Sequence, residues 1–443
     1  MPVKIYLENL GCAKNQVDAE WILARLVHGG AQVVTRPEQA DVILVNTCSF
    51  IEAAREESVE TILELAELKK RGQAKKLFVT GCLAQRYKEE LREALPEADA
   101  VVDTVEPLDT AGVVARELGL NAPGTARWYA ERWRLNPTHF AYLKLAEGCD
   151  NQCTFCAIPL IKGRFRSRPL QEVLSEARTL VAEGTRELLL IAQDTTYYGR
   201  DVGHPDWLVR LLDELAELEG LQWIRVLYTY PRYLSDELVE AMARNPKVCR
   251  YIDLPVQHAS DAVLRRMGRG TPARTLRFWI ERLRGRIPDL AIRSTVLVGF
   301  PGETEADFRE LVDFLEWAQF ERLGVFGFSP EEGTRAWNLP GRVPEEVIQE
   351  RVNEVTRLHE ENALAWSQAQ LGKRLRVLVD GRDQESGLWV ARTEWDAPEI
   401  DHVVWLEEAV EPGSFVEVEV EEALPYELFG TLAPAEQSMP VST

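Results

Sequence analysis

The chain has 443 residues, 45% of them hydrophobic and 28% charged, which fits a soluble globular protein too long for one ordinary core and suited to about three domains. No run approaches the 18 apolar residues of a helical membrane span, and the opening "MPVKIYLENLGC" is too short an apolar stretch for a signal peptide, with Glu8 interrupting it. The net charge is −21, and Leu371 to Thr443 holds five Lys and Arg against sixteen Asp and Glu. Phosphate backbones are gripped by clustered cations, so that segment is a poor hold for RNA; it suits a basic protein partner, or it serves solubility alone.

Seven cysteines, Cys12, Cys48, Cys82, Cys149, Cys153, Cys156 and Cys249, form an odd set in a chain expected to be cytoplasmic. A disulfide framework is therefore not expected, and metal or redox chemistry leads. The first three share a setting. "VKIYLENLGC", "DVILVNTC" and "KLFVTGC" are β-branched, apolar runs, each stopping at a cysteine. A helical pattern with Val59, Ile62, Leu63 and Ala66 on one face follows the second run and closes with Lys69, Lys70, Arg71 and Gly72. Strand–helix alternation implies a parallel sheet with helices on both faces, whose ligands gather at the carboxyl ends of the strands. Any one of these cysteines could be a small core residue. Three at matching strand ends point to a shared site, with an iron–sulfur cluster as the expected occupant. The stretch Asn121 to His139, with Trp128, Tyr129 and Trp133, reads as a linker whose aromatic residues dock on a neighbour.

From Phe140 the alternation restarts. "AYLKLAEGC", "ELLLIAQD", "WIRVLYTYP", "RYIDLPVQH", "IRSTVLVGF" and "RLGVFGFSP" are strand candidates separated by amphipathic helices, which predicts a curved, open (βα)6 barrel. Catalytic groups of such barrels come from the loops after the strands, where "EGCDNQCTFCAIP" lies. Three cysteines within eight residues lack a fourth ligand, and a closed structural zinc site needs four. Four-iron clusters normally take four thiolates, so three leave one iron open. "IKGRFRSRP" adds Lys162, Arg164, Arg166 and Arg168, either a solvated arm or a means of orienting an acidic substrate side chain. Cys249 has no companions and reads as a buried structural thiol.

"PEEVIQERVNEVTRLHEENALAWSQAQLG" predicts one long helix with Ile348, Val352 and Val355 on a face. Short strands with turn signals follow, the pattern of a small β-barrel. The expected organisation is α/β throughout the first two units: an N-terminal parallel-sheet domain over 1–122, a linker over 123–138, a barrel with its C-terminal helix over 139–370, a β-barrel over 371–435 and a tail over 436–443.

Cys-x3-Cys-x2-Cys with Phe155 before the last cysteine, at the start of a (βα)6 barrel, resembles the radical S-adenosylmethionine superfamily. The resemblance implies a [4Fe-4S] cluster on Cys149, Cys153 and Cys156 whose open iron chelates S-adenosylmethionine and cleaves it to a 5′-deoxyadenosyl radical. It further implies cofactor contacts from Phe155, from Gln193 and Asp194 of "IAQDTT", from Gln257 and His258 of "DLPVQHAS", and from Gly299 and Phe300 of "STVLVGFPGE". Ordinary hydrogen bonding at the barrel mouth is the alternative for each of these, and His258 would then only orient its loop. The terminal barrel resembles the TRAM module, and the whole resembles the methylthiotransferases. "LGCAKN", with Ala13 where proline is usual, is similar to the branch that modifies an aspartate of ribosomal protein S-12 rather than the branch that modifies tRNA adenosine.

That branch implies a second [4Fe-4S] cluster on Cys12, Cys48 and Cys82, S-adenosylmethionine as both methyl donor and radical source, and 3-methylthioaspartate as product. It also implies a reductant such as flavodoxin or ferredoxin and a substrate that is free or within the ribosomal subunit, while direct tRNA binding is not expected. The rival readings are a tRNA methylthiotransferase and a non-catalytic iron–sulfur electron carrier.

Overall fold

The computed structural model describes residues 2–121 and 131–434; Trp128 and Tyr129 of the predicted linker lie outside them. The first unit is a parallel sheet in the order Gln32–Val33, Lys4–Asn9, Val42–Thr47, Lys76–Gly81, Ala100–Val101. Alternation along the central strand splits the core. Val42 and Leu44 meet the helices Ala13–His28 and Pro107–Glu117, while Ile43 and Val45 meet Glu52–Lys70. On that last helix Leu63 turns outward at 43% exposure and Leu65 takes its place beside Ile62 and Ala66. One residue is a 100° rotation, enough to move a leucine off the buried stripe.

The second unit is a six-stranded, all-parallel sheet taken in sequence order: Phe140–Lys144, Glu187–Ile191, Trp223–Val226, Val248–Asp253, Ala291–Val298, Arg322–Gly327. Helices between the strands cover its convex side, and Leu143, Leu190, Ile224, Ile252 and Val296 point into that layer. The long helix Glu345–Gln368 closes the far edge with Ile348 and Val355 buried. Cys249 is buried in the fourth strand. The third unit is a closed five-stranded barrel, with strands in the order Arg374–Arg382, Trp389–Thr393, Val403–Leu406, Glu427–Leu432, Phe415–Ala423.

One apolar cluster joins all three units. Val17 and Trp21 of the first helix, Phe140, Leu189, Ile191 and Tyr251 of the six-stranded sheet, and Leu378 and Ala397 of the last barrel pack together. The helix Ala13–His28 is therefore apolar on two sides, with Ala19, Ile22, Leu23 and Leu26 against its own sheet and Val17 and Trp21 against the other. Buried charges tie the terminal barrel beneath the sheet. Glu187 accepts from Arg225 at 2.8 Å and Arg392 at 2.8 Å, and Arg322 donates to Asp396 at 2.6 Å. Trp133 stands 40% exposed, with its backbone N–H on the Glu20 carbonyl. Among the described residues no helix is long and apolar enough to cross a membrane.

Candidate active site

In the first sheet Asn9 pairs with Asn46 and Thr47 with Gly81, so Cys12, Cys48 and Cys82 all leave the sheet at its carboxyl edge. Polar side chains lock the three exits together. Asn46 donates to Asn9 Oδ1 at 2.8 Å and to the Asn15 carbonyl at 2.9 Å. Asn15 donates to the Leu10 and Thr47 carbonyls, at 3.0 and 2.8 Å, and its Oδ1 lies 3.5 Å from Cys82 Sγ. Ser58 accepts from the Cys48 N–H and donates to its carbonyl. Gly11, at φ +94°, leaves room for Cys48 Sγ, which would stand 3.0 Å from a Cβ placed there. At Gly81, φ +91°, a Cβ would lie 2.5 Å from the Thr47 backbone, so only glycine lets Cys82 approach.

The second trio sits on the loop after the first strand of the six-stranded sheet. Asn151 donates to Asp194 Oδ2 at 2.7 Å, the Cys149 N–H donates to the Gly163 carbonyl, and the Thr154 N–H donates to the Met267 carbonyl. Asp194 also accepts from Thr196 at 2.6 Å, so this predicted cofactor contact is engaged in holding the cysteine loop. Arg269 lies with Nη1 3.7 Å from Cys153 Sγ and its guanidinium 4.0 Å from the Tyr230 ring centroid.

Cys82 of the first trio packs on Ala157, the residue directly after Cys156, and on Ile161. Between the domains lies a buried alternation of charge. Lys144 donates to both Asp18 and Glu147, and Lys162 Nζ is 3.5 Å from Asp18 and 3.9 Å from Glu147. Burial would raise Glu147, but Lys144 and Lys162 overcome it and hold that carboxylate below its ordinary range. Glu331, beyond the last strand of the six-stranded sheet, closes the seam. It accepts from Arg55, from Arg86 and from the Glu52 N–H.

Other predicted residues fall as follows. Gln193 donates Nε2 to Glu147 Oε1 at 2.8 Å, while its buried Oε1 has no protein partner. Gln257 takes φ +68° and is bridged to Val296. His258 accepts from the Ser260 N–H and lies 3.5 Å from Glu303, which orients its loop. Gly299 faces helix Glu345–Gln368, since a Cβ would meet Ile348 at 2.4 Å. Phe300 is buried and stacks edge-on between Phe155 and Phe328. Of the basic arm, Lys162 alone is buried in the seam. Arg168 donates to the Lys144 carbonyl and to buried Glu176. Arg164 pairs with Asp150 at 89% side-chain exposure, and Arg166 reaches the Lys162 and Arg164 carbonyls. A cleft of about 660 Å³ between Trp223, Arg250, Trp366 and Arg376 contains none of the predicted residues.

Burial pushes Cys149 up to about 11 and Cys82 and Cys156 up to about 12; thiolates there need a cationic guest. Among the described residues no three His, Cys, Asp or Glu side chains converge on a point that could hold one metal ion. Two sets of three thiols that become thiolates only beside a cation are donors of the type that iron–sulfur clusters take. Asn151 and Arg269 are not legible in the sequence as site residues, whereas Asn15 closes the "LGCAKN" stretch.

Residues 4–103 match the family model described as Uncharacterized protein family UPF0004, 143–315 the Radical SAM superfamily and 371–432 the TRAM domain. The chain is 46% identical over 446 residues to the ribosomal protein uS12 methylthiotransferase RimO of Anaeromyxobacter sp. (strain K), covering 99% of this chain and 95% of that protein. It belongs to the ribosomal protein uS12 methylthiotransferase family. A second family member, RimO of Anaeromyxobacter sp. (strain Fw109-5), is 47% identical over 96% of this chain and 92% of its own. Among solved structures, the radical S-adenosylmethionine methyltransferase TsrM of Kitasatospora setae shares the fold, with a TM-score of 0.55 at 16% identity over 76% of this chain and 77% of that one.

Proposed function

We propose that this uS12 methylthiotransferase family member is a cytoplasmic transferase that places a methylthio group on the β-carbon of an aspartate of ribosomal protein uS12, giving 3-methylthioaspartate. The observation that carries the reading is the contact of Cys82 with Ala157 and Ile161, which sets two three-thiol sites across one interdomain seam. Cys149, Cys153 and Cys156 would hold one [4Fe-4S] cluster, and Cys12, Cys48 and Cys82 the other. When bound, the first would supply the electron that cleaves S-adenosylmethionine, and the second the sulfur that is transferred.

The chain's own residues set the geometry. Asp194 fixes the cysteine loop through Asn151. Gln193 offers an unpaired carbonyl oxygen that suits the ammonium of S-adenosylmethionine. Phe155 and Phe300 form an apolar wall beside the cysteine loop on which an adenine could rest, and Arg269 places positive charge next to Cys153. Lys144 and Lys162 neutralise Asp18 and Glu147, so the seam carries no uncompensated buried carboxylate there. One substrate carbon must reach both sites, and such fixed juxtaposition is what lets a second step follow the first. A low-potential flavodoxin or ferredoxin is the proposed reductant.

The test is mass spectrometry of uS12 and of tRNA after incubation with reconstituted enzyme, S-adenosylmethionine and reductant. One methylthio group on an aspartate of uS12 is expected. Methylthiolated adenosine in tRNA, with uS12 unchanged, would overturn the reading in favour of the RNA branch, and no modification of either would favour an electron carrier.

A further inference from the structure

The seam between the two thiol trios contains three lysines, and two of them are neutralised. Lys144 and Lys162 share Asp18 and Glu147. Lys14 does not share them. It lies in the first turn of helix Ala13–His28, two residues past Cys12, half-buried. Among the described residues it makes no ion pair; its ammonium rests 3.3 Å from the centroid of the Tyr228 ring. The carboxylate across from it, Asp253, is already engaged by Arg293 at 3.3 Å and by the Tyr228 N–H at 2.9 Å.

Tyr228 is itself unusual. A non-glycine residue at φ +57° occupies a sparsely populated backbone region and persists only where its surroundings enforce it. Here the enforcing groups are Asp253, which accepts from its N–H, and the Thr195 N–H, which donates to its carbonyl. Two residues on, Tyr230 lies beneath Arg269, whose Nη1 is 3.7 Å from Cys153 Sγ. The loop after the third strand of the six-stranded sheet thus carries two tyrosines, one stacked with the arginine beside Cys153 and one against the lysine that follows Cys12.

We infer that Lys14 Nζ is the group that anchors the carboxylate of the target aspartate, with Tyr228 as the shelf that holds the ammonium in place. The inference rests on the reading of an aspartate substrate given above. The carbon to be modified is bonded directly to the carboxylate carbon, so a charge-assisted hydrogen bond to that carboxylate leaves a single torsion to set the β-carbon between the two sites. An ammonium resting on a tyrosine face remains free to donate to such a ligand, unlike one already held by a carboxylate.

The test uses reconstituted full-length enzyme, fluorescent peptides of the uS12 segment carrying the target aspartate or asparagine in its place, and anisotropy together with the separate values of kcat and KM. Lys14→Met keeps length and a sulfur contact to the ring; it should weaken binding of the aspartate peptide roughly 10- to 100-fold and abolish the preference for aspartate over asparagine. Lys14→Arg should recover part of both. Wild-type enzyme that binds the two peptides equally, or a Lys14→Met enzyme that keeps the wild-type preference, would overturn the inference. The wild-type arm decides even if a variant fails to hold its clusters. Failure of the functional reading is separately visible, as wild-type enzyme that binds the aspartate peptide and intact uS12 yet modifies neither.

Discussion

Gly81 shows how tightly single residues constrain the first thiol site. Its φ of +91° and the 2.5 Å approach of the Thr47 backbone leave no room for a methyl group. Gly81→Ala should cost about 1–3 kcal/mol from the strained backbone and should also displace Cys82, lowering iron per reconstituted chain. Gly72, at φ +74° with nothing within 4 Å, is the control. Its alanine variant should cost about 1 kcal/mol and keep all its iron, with thermal unfolding and iron determination as the measurements. At this scale the cysteines are legible in sequence because chemistry fixes both residue type and spacing. Asn46 and Ser58 are not, because an amide or hydroxyl that bridges distant loops looks like any polar residue until the loops are brought together. The basic arm is half legible. Four alternating cations announce themselves, but only burial distinguishes Lys162 from Arg164, and Glu176 from solvent as the partner of Arg168.

Among the elements, the helix Glu345–Gln368 and the last barrel meet through two histidines. His359 and His402 pack around Tyr426, and His402 also meets Trp366 edge-on. Burial, and then the nearby Arg322 charge, lower His359 to about 4 and His402 to about 3. Both are depressed below the ordinary value near 6.5, so the folded chain binds fewer protons than the unfolded one as pH falls through 6.5. Stability is then complete above pH 6.5 and lost progressively down to about 4, by roughly 1.4 kcal/mol per histidine per pH unit. Urea unfolding at pH 7.5 and 5.5 should show this loss, and His359→Leu with His402→Leu should remove most of it; an unchanged difference would show that other groups carry it. Long elements are legible because their periodicity runs over many residues. The edge strands Gln32–Val33 and Ala100–Val101 are too short to alternate, and Leu63 shows that a helical stripe is uncertain by one residue at its margin.

The whole molecule places three units around one apolar cluster, with thiols at the carboxyl ends of two parallel sheets and the terminal barrel fastened at the opposite end by Arg225, Arg322 and Arg392. The order of the units is legible, since strand–helix alternation and a late run of short strands have separate signatures. Their docking is not, because it depends on side chains such as Trp21 and Glu331 that carry no local pattern. That one substrate carbon reaches both thiol sites is tested by turnover of uS12 deuterated at the aspartate β-carbon, followed by mass spectrometry of protein and 5′-deoxyadenosine. Deuterium in the nucleoside and a methylthio group on the same aspartate are predicted together, with Cys12→Ala, Cys48→Ala and Cys82→Ala combined retaining the former and losing the latter. A methylthio group formed by that triple variant, or deuterium transfer by wild-type enzyme that never leads to a methylthio group, would contradict it.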